Sequence, residues 1–159
     1  MIRPLERFDV PRIAEIHIFA QRFTYRGFVS DEFLFGKMTV EDRVEYFKHN
    51  QANGFVYDEG FIKGFITLGE CEDEGKAGSL ELYRIFVDPL MFGQGVGGKL
   101  ARHFEEVAAR QGYSEICLWV LEGNFKARAF YDKIGYMADG AKRISEYFGV
   151  PEVRYIKRI

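Results

Sequence analysis

The stretch MFGQGVGGKL, residues 91 to 100, places four glycines within six positions, between a strand-like run and a helix-like one. Glycine loses more conformational freedom on folding than any other residue, so such a cluster needs a reason in the backbone. The run before it, Ser79 to Val87 (SLELYRIFV), reads as a strand; the run after it puts Leu100, Phe104, Val107 and Ala108 on one helical face. A helix N-terminus offers unpaired N–H groups and a partial positive charge, and glycines there let an anion approach without a Cβ in the way. A pyrophosphate is the expected ligand. The plainer reading is a tight turn, but four glycines exceed what a turn requires.

The remaining chain supplies the elements around that loop. Ile2 to Leu5 suits a short strand, and Asp9 suits the N-cap of a first helix, with Pro11 tolerated in its first turn. That helix carries Ile13, Ile16, His17 and Ala20 on one face. Thr24 to Lys37 is aromatic but aperiodic, a loop or a short broken helix. Thr39 to Asp42 has the form of a capping box and opens a second helix burying Val44 and Phe47. Residues 54 to 69 (GFVYDEGFIKGFITLG) form a hairpin about Asp58-Glu59-Gly60, followed by a charged loop from Glu70 to Gly78. In the strand from Ser79, Leu80 and Leu82 share one face, but from Tyr83 the apolar residues change phase, as a β-bulge produces.

Gly112 stops the third helix, and Glu115 to Leu121 (EICLWVL) is nearly all apolar, as in a central strand covered on both faces. Asn124 caps a fourth helix with a buried stripe of Ala127, Phe130, Tyr131 and Ile134, closed by Gly135. Tyr136 to Asp139 and Val153 to Ile159 read as the last strands. With no repeat or linker, residues 1–159 are expected to form a single α/β domain.

Composition closes several alternatives. The chain is 47% hydrophobic, with 16 Phe and 9 Tyr, enough to fill one core. A net charge of −2 creates no global field for nucleic acid or an anionic membrane, so neither is an expected partner. No signal peptide and no apolar run approaching the ~20 residues of a membrane span is recognised, which points to a cytoplasmic protein. Cys117 lies in an apolar run far from Cys71 and is expected to pack as a small hydrophobe rather than join a disulfide. His17, His49 and His103 lack metal-ligand spacing, so no metal is expected and all three read as surface or half-buried residues.

Two phosphate-binding motifs compete for the loop. Gly93-x-Gly95-x-x-Gly98 formally matches a dinucleotide fingerprint, and Glu122 follows the next strand at about the right distance. Asp88 to Phe92, including Pro89, however separate the strand from the first glycine, and too little chain follows for a doubly wound sheet. A nucleotide P-loop fails because Leu100 follows Lys99 where a Ser or Thr is needed for magnesium.

Residues LYRIFVDPLMFGQGVGGKL and LWVLEGNFKARAFYDKIGYM together resemble the core of the GNAT superfamily of N-acetyltransferases. The likeness is strong over Leu80 to Met137 and compatible elsewhere. The signature Q/R-x-x-G-x-G/A falls on Phe92 to Gly97, with Phe92 where a Gln or Arg is usual, a departure that leaves the backbone cradle intact. The resemblance implies a mixed, mostly antiparallel twisted sheet with helices on both faces and a splayed parallel pair formed by the strands Ser79–Val87 and Glu115–Leu121. It implies acetyl-CoA as co-substrate in that wedge. Ile85, Phe86 and Val87 are then expected to bond the pantetheine arm, and Gly93, Gln94, Gly95, Val96, Gly97 and Gly98 the pyrophosphate. Asn124, with Lys126 as neighbour, contacts the arm or the CoA phosphates, in addition to capping its helix.

The implied activity is transfer of acetyl from acetyl-CoA directly to a primary amine, a small amine or polyamine or a protein N-terminus or lysine; a non-catalytic acyl-CoA sensor is the alternative. The amine must lose a proton to a carboxylate, an N–H of Phe86 or Val87 meets the oxyanion, and a tyrosine protonates the thiolate. Tyr131 is the expected acid. Glu81 is the expected base, with Glu122 or a water chain as competitors. Tyr25 and Phe28, with Arg26, lie in the loop that commonly lines the acceptor site in this superfamily, and Tyr83 shares a strand face with Glu81. The acidic loop of Glu70, Glu72, Asp73 and Glu74 can draw in a cationic amine or simply be solvated. A homodimer is compatible with the resemblance.

Overall fold

Gly60, at φ +86°, closes the hairpin between β2 (Gly54–Asp58) and β3 (Ile62–Glu70), where a side chain would strain the turn. The computed structural model describes residues 1–50 and 53–159. In chain order come β1 (Ile2–Pro4), α1 (Val10–Thr24), α2 (Val40–His49), β2, β3, β4 (Leu80–Val87), α3 (Val96–Arg110), β5 (Glu115–Leu121), α4 (Phe125–Lys133), β6 (Met137–Ile144) and β7 (Pro151–Arg158). The strands make one seven-stranded sheet in the order β1-β2-β3-β4-β5-β7-β6. It is mostly antiparallel, and β4 runs parallel to β5. Among the described residues no helix is long and apolar enough to cross a membrane.

The chain divides into two compact units. The first comprises Met1–Leu68 and Arg84–Phe104. Its core gathers Val10, Ile13, Ala14 and Ile16 of α1 with Phe47 of α2, Val56 of β2, and Ile62 and Phe65 of β3. Asp9 stands at the N-cap of α1, as expected, yet its carboxylate does not cap that helix. It accepts from the Glu6 N–H (2.8 Å) and from Arg3 (2.8 and 2.9 Å), whose guanidinium also reaches Asp58. Burial opposes the charge on Asp9, but Arg3 and the Glu6 N–H hold its carboxyl below the ordinary range. Thr39 does cap α2, accepting from the Asp42 N–H at 3.1 Å. Between the two helices, Phe33–Lys37 forms a π-helical turn, the second of the two forms, loop or broken helix, expected for Thr24 to Lys37.

His17 departs from the surface or half-buried position expected of it. It is 3% exposed, with its ring 4.4 Å from Phe86 and 5.7 Å from Phe47. The helical face read from Ile13 to Ala20 includes it, and an imidazole against three aromatic rings packs as a core residue. Burial, then the charges of Arg43 and Arg84, push its pKa well below the usual value, so it is neutral at pH 7.

Gly64 shows how closely β3 backs β4. A Cβ added there would sit 2.8 Å from the Phe86 carbonyl oxygen and 3.1 to 3.2 Å from Leu100 and Val96. The carbonyl is held in the sheet and cannot give. Gly64→Ala is therefore expected to destabilise the fold by about 2 kcal/mol through overpacking, read as a lower urea midpoint with unchanged slope.

The second unit comprises Gly69–Tyr83 and Glu105–Ile159. Its axis is β5, whose Ile116, Cys117 and Leu118 are buried as a central strand requires, paired along its whole length with β7. Asp73 accepts from Trp119 Nε1 (2.8 Å) and Arg154 (3.0 Å), and Arg154 also donates to Asp139 (2.8 Å). Strand β6 runs to Ile144, five residues past its expected end at Asp139, with a register shift between Ala138 and Lys142. Gly140 at φ +89° takes up that irregularity. On α4 the expected stripe is only partly realised: Tyr131 is buried, whereas Ala127, Phe130 and Ile134 are half-buried.

Candidate active site

In the first unit, the exit from β4 is anchored before the glycines begin. The Asp88 N–H bonds to the Lys63 carbonyl (2.8 Å), and its carboxylate accepts from the Leu90 N–H (2.9 Å) and pairs with Arg12 of α1. Arg12 in turn donates to the Ile62 carbonyl (3.3 Å). The Asp-Pro dipeptide is a turn signal visible in the sequence, but its arginine partner is 76 residues away.

Gly93 (φ +80°) and Gly95 (φ +76°) lie in the left-handed region, both exposed, and a Cβ on either would meet nothing within 4 Å. Glycine is demanded here by backbone conformation, and the space in front of the loop is open. Helical bonding begins with the Lys99 N–H on the Gly95 carbonyl (3.1 Å). The amides of Val96, Gly97 and Gly98 precede it and lack intrahelical acceptors. A row of donors at the positive end of α3 thus opens on bare backbone, which fits a diphosphate. Gln94 folds its amide back to the Leu90 carbonyl (3.5 Å). Phe92 packs edge-on against Phe23 of α1, with centroids 5.5 Å apart. The residue at the first signature position therefore packs on a helix.

The amides of β4 are not equivalent. Asp88 N–H points to β3, and Phe86 directs its carbonyl toward Gly64 on the same strand. Since strand polar groups alternate, the N–H groups of Ile85 and Val87 point away from β3. The Phe86 side chain belongs to the ring cluster around His17. Arg84 donates to the Tyr46 hydroxyl at 3.0 Å and approaches Thr67 at 3.5 Å, a polar contact that periodicity alone did not reveal. Tyr25 and Phe28 stack with centroids 5.5 Å apart, and Arg26 pairs with Asp31 (2.9 Å) in the exposed loop after α1.

In the second unit, the parallel ladder pairs Leu80 with Ile116 and Glu81 with Cys117, while β4 continues to Val87. Glu81 is half-buried; burial and then the Asp73 carboxylate push its carboxyl above the usual range. Glu122, by contrast, is held below that range by Lys142 at 2.7 Å. Tyr83 is 45% exposed and donates to the Glu70 carbonyl at 2.7 Å. Asn124 accepts from the Ala127 N–H (3.1 Å), the N-cap expected of it, with Lys126 exposed on the first turn of α4. Tyr131 is 6% exposed, its ring 5.3 Å from Phe130, 5.7 Å from Tyr136 and 6.1 Å from Tyr155. Asp73 of the acidic loop is neutralised by Arg154 and Arg143, which weakens that loop as an attractor of cations.

Known proteins share this chain's sequence pattern and fold. The model of the acetyltransferase (GNAT) family matches residues 16–136. The uncharacterized N-acetyltransferase YuaI of Bacillus subtilis is 26% identical over 148 residues, 91% of this chain and 82% of that one. The spermidine N(1)-acetyltransferase of Thermoplasma acidophilum is 25% identical over 152 residues, 91% and 94% of the two chains. The crystal structure of the PaiA N-acetyltransferase from Thermoplasma acidophilum in complex with coenzyme A superposes with a TM-score of 0.74 at 21% identity, covering 100% of this chain and 98% of that one.

Proposed function

We propose that this chain, which belongs to the acetyltransferase (GNAT) family and is an acetyl-CoA-dependent N-acetyltransferase, moves the acetyl group directly to a primary amine within a ternary complex. The observation that carries the cofactor half of this reading is the exposed left-handed glycine loop at the N-terminus of α3. The family match runs through residues of both compact units, which supports residues 1–159 acting as one acetyltransferase domain. A relative named for spermidine supports an amine acceptor, a polyamine, another small amine, or a protein lysine or N-terminus.

Each chemical demand has a candidate group. An alkyl amine with pKa ~10.4 is charged at neutral pH and must lose a proton before it attacks. Glu81 takes that proton, directly or through water; Glu122 is the poorer base because Lys142 already occupies it. The Val87 N–H meets the oxyanion, and it is a better donor than that of Phe86, which faces β3. As the carbon–sulfur bond breaks, the Tyr131 hydroxyl gives its proton to the departing thiolate. The proton gained by Glu81 and the one lost by Tyr131 balance through exchange with solvent. Ile85 bonds the pantetheine arm, and Asn124 and Lys126 serve the coenzyme from α4. Tyr25, Phe28 and Tyr83 line the acceptor's approach.

Thiol release across a panel of spermidine, lysine, an N-terminal dipeptide and small amines tests the reading. Intersecting initial-velocity lines are expected for the productive amine; parallel lines, or coenzyme binding with no turnover on any amine, overturn direct transfer. Glu81→Gln should lower kcat on the order of 100-fold with a strongly basic amine. With a weakly basic acceptor such as an acyl hydrazide or an arylamine, already neutral at pH 7, the defect should shrink to under about tenfold. Equal defects on both acceptors mean that Glu81 is not the base.

A further inference from the structure

Cys71, Glu81 and Cys117 come from three separate segments of the second unit, yet both sulfurs and a carboxylate oxygen lie within 4.8 Å of one another. The sheet produces this convergence. Glu81 and Cys117 are direct partners in the β4–β5 ladder, so their side chains leave the same face. Cys71 flanks β4 on its other side, its N–H bonded to the Ser79 carbonyl at 3.0 Å. With β4 between them, the cysteine Cα atoms stand about two strand spacings apart, roughly 9–10 Å. A disulfide requires less than about 7 Å, so oxidation to a bridge does not account for the arrangement. Both thiols are free and buried, their sulfurs no more than 4.8 Å apart.

We propose that Cys71, Glu81 and Cys117 bind one borderline-soft divalent cation, best matched by Zn2+, as a three-ligand site whose fourth position takes water. Zinc–sulfur bonds of ~2.3 Å and a zinc–oxygen bond of ~2.0 Å in a tetrahedron place ligand atoms about 3.5–3.8 Å apart. Ligands already within 4.8 Å need close by only about 1 Å, within reach of side-chain rotation. Two sulfurs exclude Mg2+ and Ca2+, which take oxygen ligands. On binding, each cysteine releases its thiol proton to solvent as its sulfur bonds the metal. Two thiolates and one carboxylate against Zn2+ leave one negative charge, and Arg143 lies near enough to act on Glu81. Half-buried Glu81 provides the way in. The proposal does not rest on the reading as an acetyltransferase, but it shares Glu81 with it: a metal there takes the oxygen proposed as the base and therefore opposes transfer.

The reduced, metal-free chain is titrated with Zn2+ by calorimetry near neutral pH and with Co2+ by absorption spectroscopy. One equivalent of Zn2+ is expected to bind saturably, and the Co2+ form to show thiolate-to-metal charge transfer with the visible bands of tetrahedral cobalt, both abolished by added Zn2+. Cys71→Ser and Cys117→Ser should each weaken Zn2+ on the order of 100-fold and lower the charge-transfer intensity. Glu81→Gln should keep that band while weakening binding about tenfold. Cys71 lies beyond the end of β3, so Cys71→Ser serves if the substitution within β5 unfolds the chain, with circular dichroism identifying the folded variant. Absence of saturable Zn2+ binding, or binding unchanged in folded Cys71→Ser, overturns the proposal; neither result depends on acetyl transfer.

Discussion

Gly95→Asp will lose coenzyme A affinity by at least about a thousandfold, while Gly95→Asn loses about tenfold. The pair separates two effects that a single substitution confounds. At φ +76° any side chain is strained, but Asn and Asp tolerate the left-handed region better than other residues and have nearly the same shape. With nothing within 4 Å of the added Cβ, neither clashes with the protein. Strain of roughly 1 kcal/mol, and the roughly tenfold loss of affinity expected where the loop shifts to relieve it, are therefore common to both. Asp alone adds a negative charge. At an effective dielectric of ~20, a unit charge ~4 Å from a phosphate charge costs about 4 kcal/mol, which is on the order of a thousandfold in affinity. The Asp defect should also lessen with added salt, whereas that of Asn should not. Calorimetric titration with coenzyme A in low and high salt measures both. Equal affinities for the two variants would mean that the diphosphate does not rest on this loop.

The legibility of that loop contrasts with what stayed hidden elsewhere. Gly93 and Gly95 could be read because conformation dictates residue type there, and α3 could be read because Leu100, Phe104, Val107 and Ala108 keep a helical period. Asn124 announced its cap for the same local reason. Features that depend on distant partners left weaker traces. His17 is polar by type but core by position, because Phe47, Phe65 and Phe86 from other elements close over it. Strand β6 is largely exposed, so MADGAKRI lacks alternation, and its last residues are held by pairing with Pro151, Glu152 and Val153. Arg12 finds Asp88, and Cys71 finds Glu81 and Cys117, only once the chain has folded. The change of apolar phase at Tyr83 was visible, but the side of β4 to which each amide turns required β3 in place. Local conformational needs are written in single residues; convergence is written only in the topology.

Tyr131→Phe will lower kcat on the order of 100- to 1,000-fold and leave KM for acetyl-CoA within about twofold. The thiolate of coenzyme A is a strong base to expel, and a phenol as a class is matched to a thiol rather than to a carboxylic acid. Phe retains the ring that contacts Phe130, Tyr136 and Tyr155, so α4 keeps its packing and stability should change by about 1 kcal/mol or less. A fall in kcat at constant KM marks an interaction made while the bond breaks rather than one made in binding. Tyr136 supplies the control from the same unit. Its hydroxyl is buried with no hydrogen-bond partner among the described residues, and burial raises its pKa, so it is poorly suited to give up a proton. Tyr136→Phe removes an unsatisfied polar group and should leave turnover unchanged while the fold becomes no less stable. If both variants turn over like the parent chain, the proton on the leaving thiolate comes from water or another side chain. If both lose activity equally, packing of the aromatic cluster rather than proton donation is what the chemistry needs.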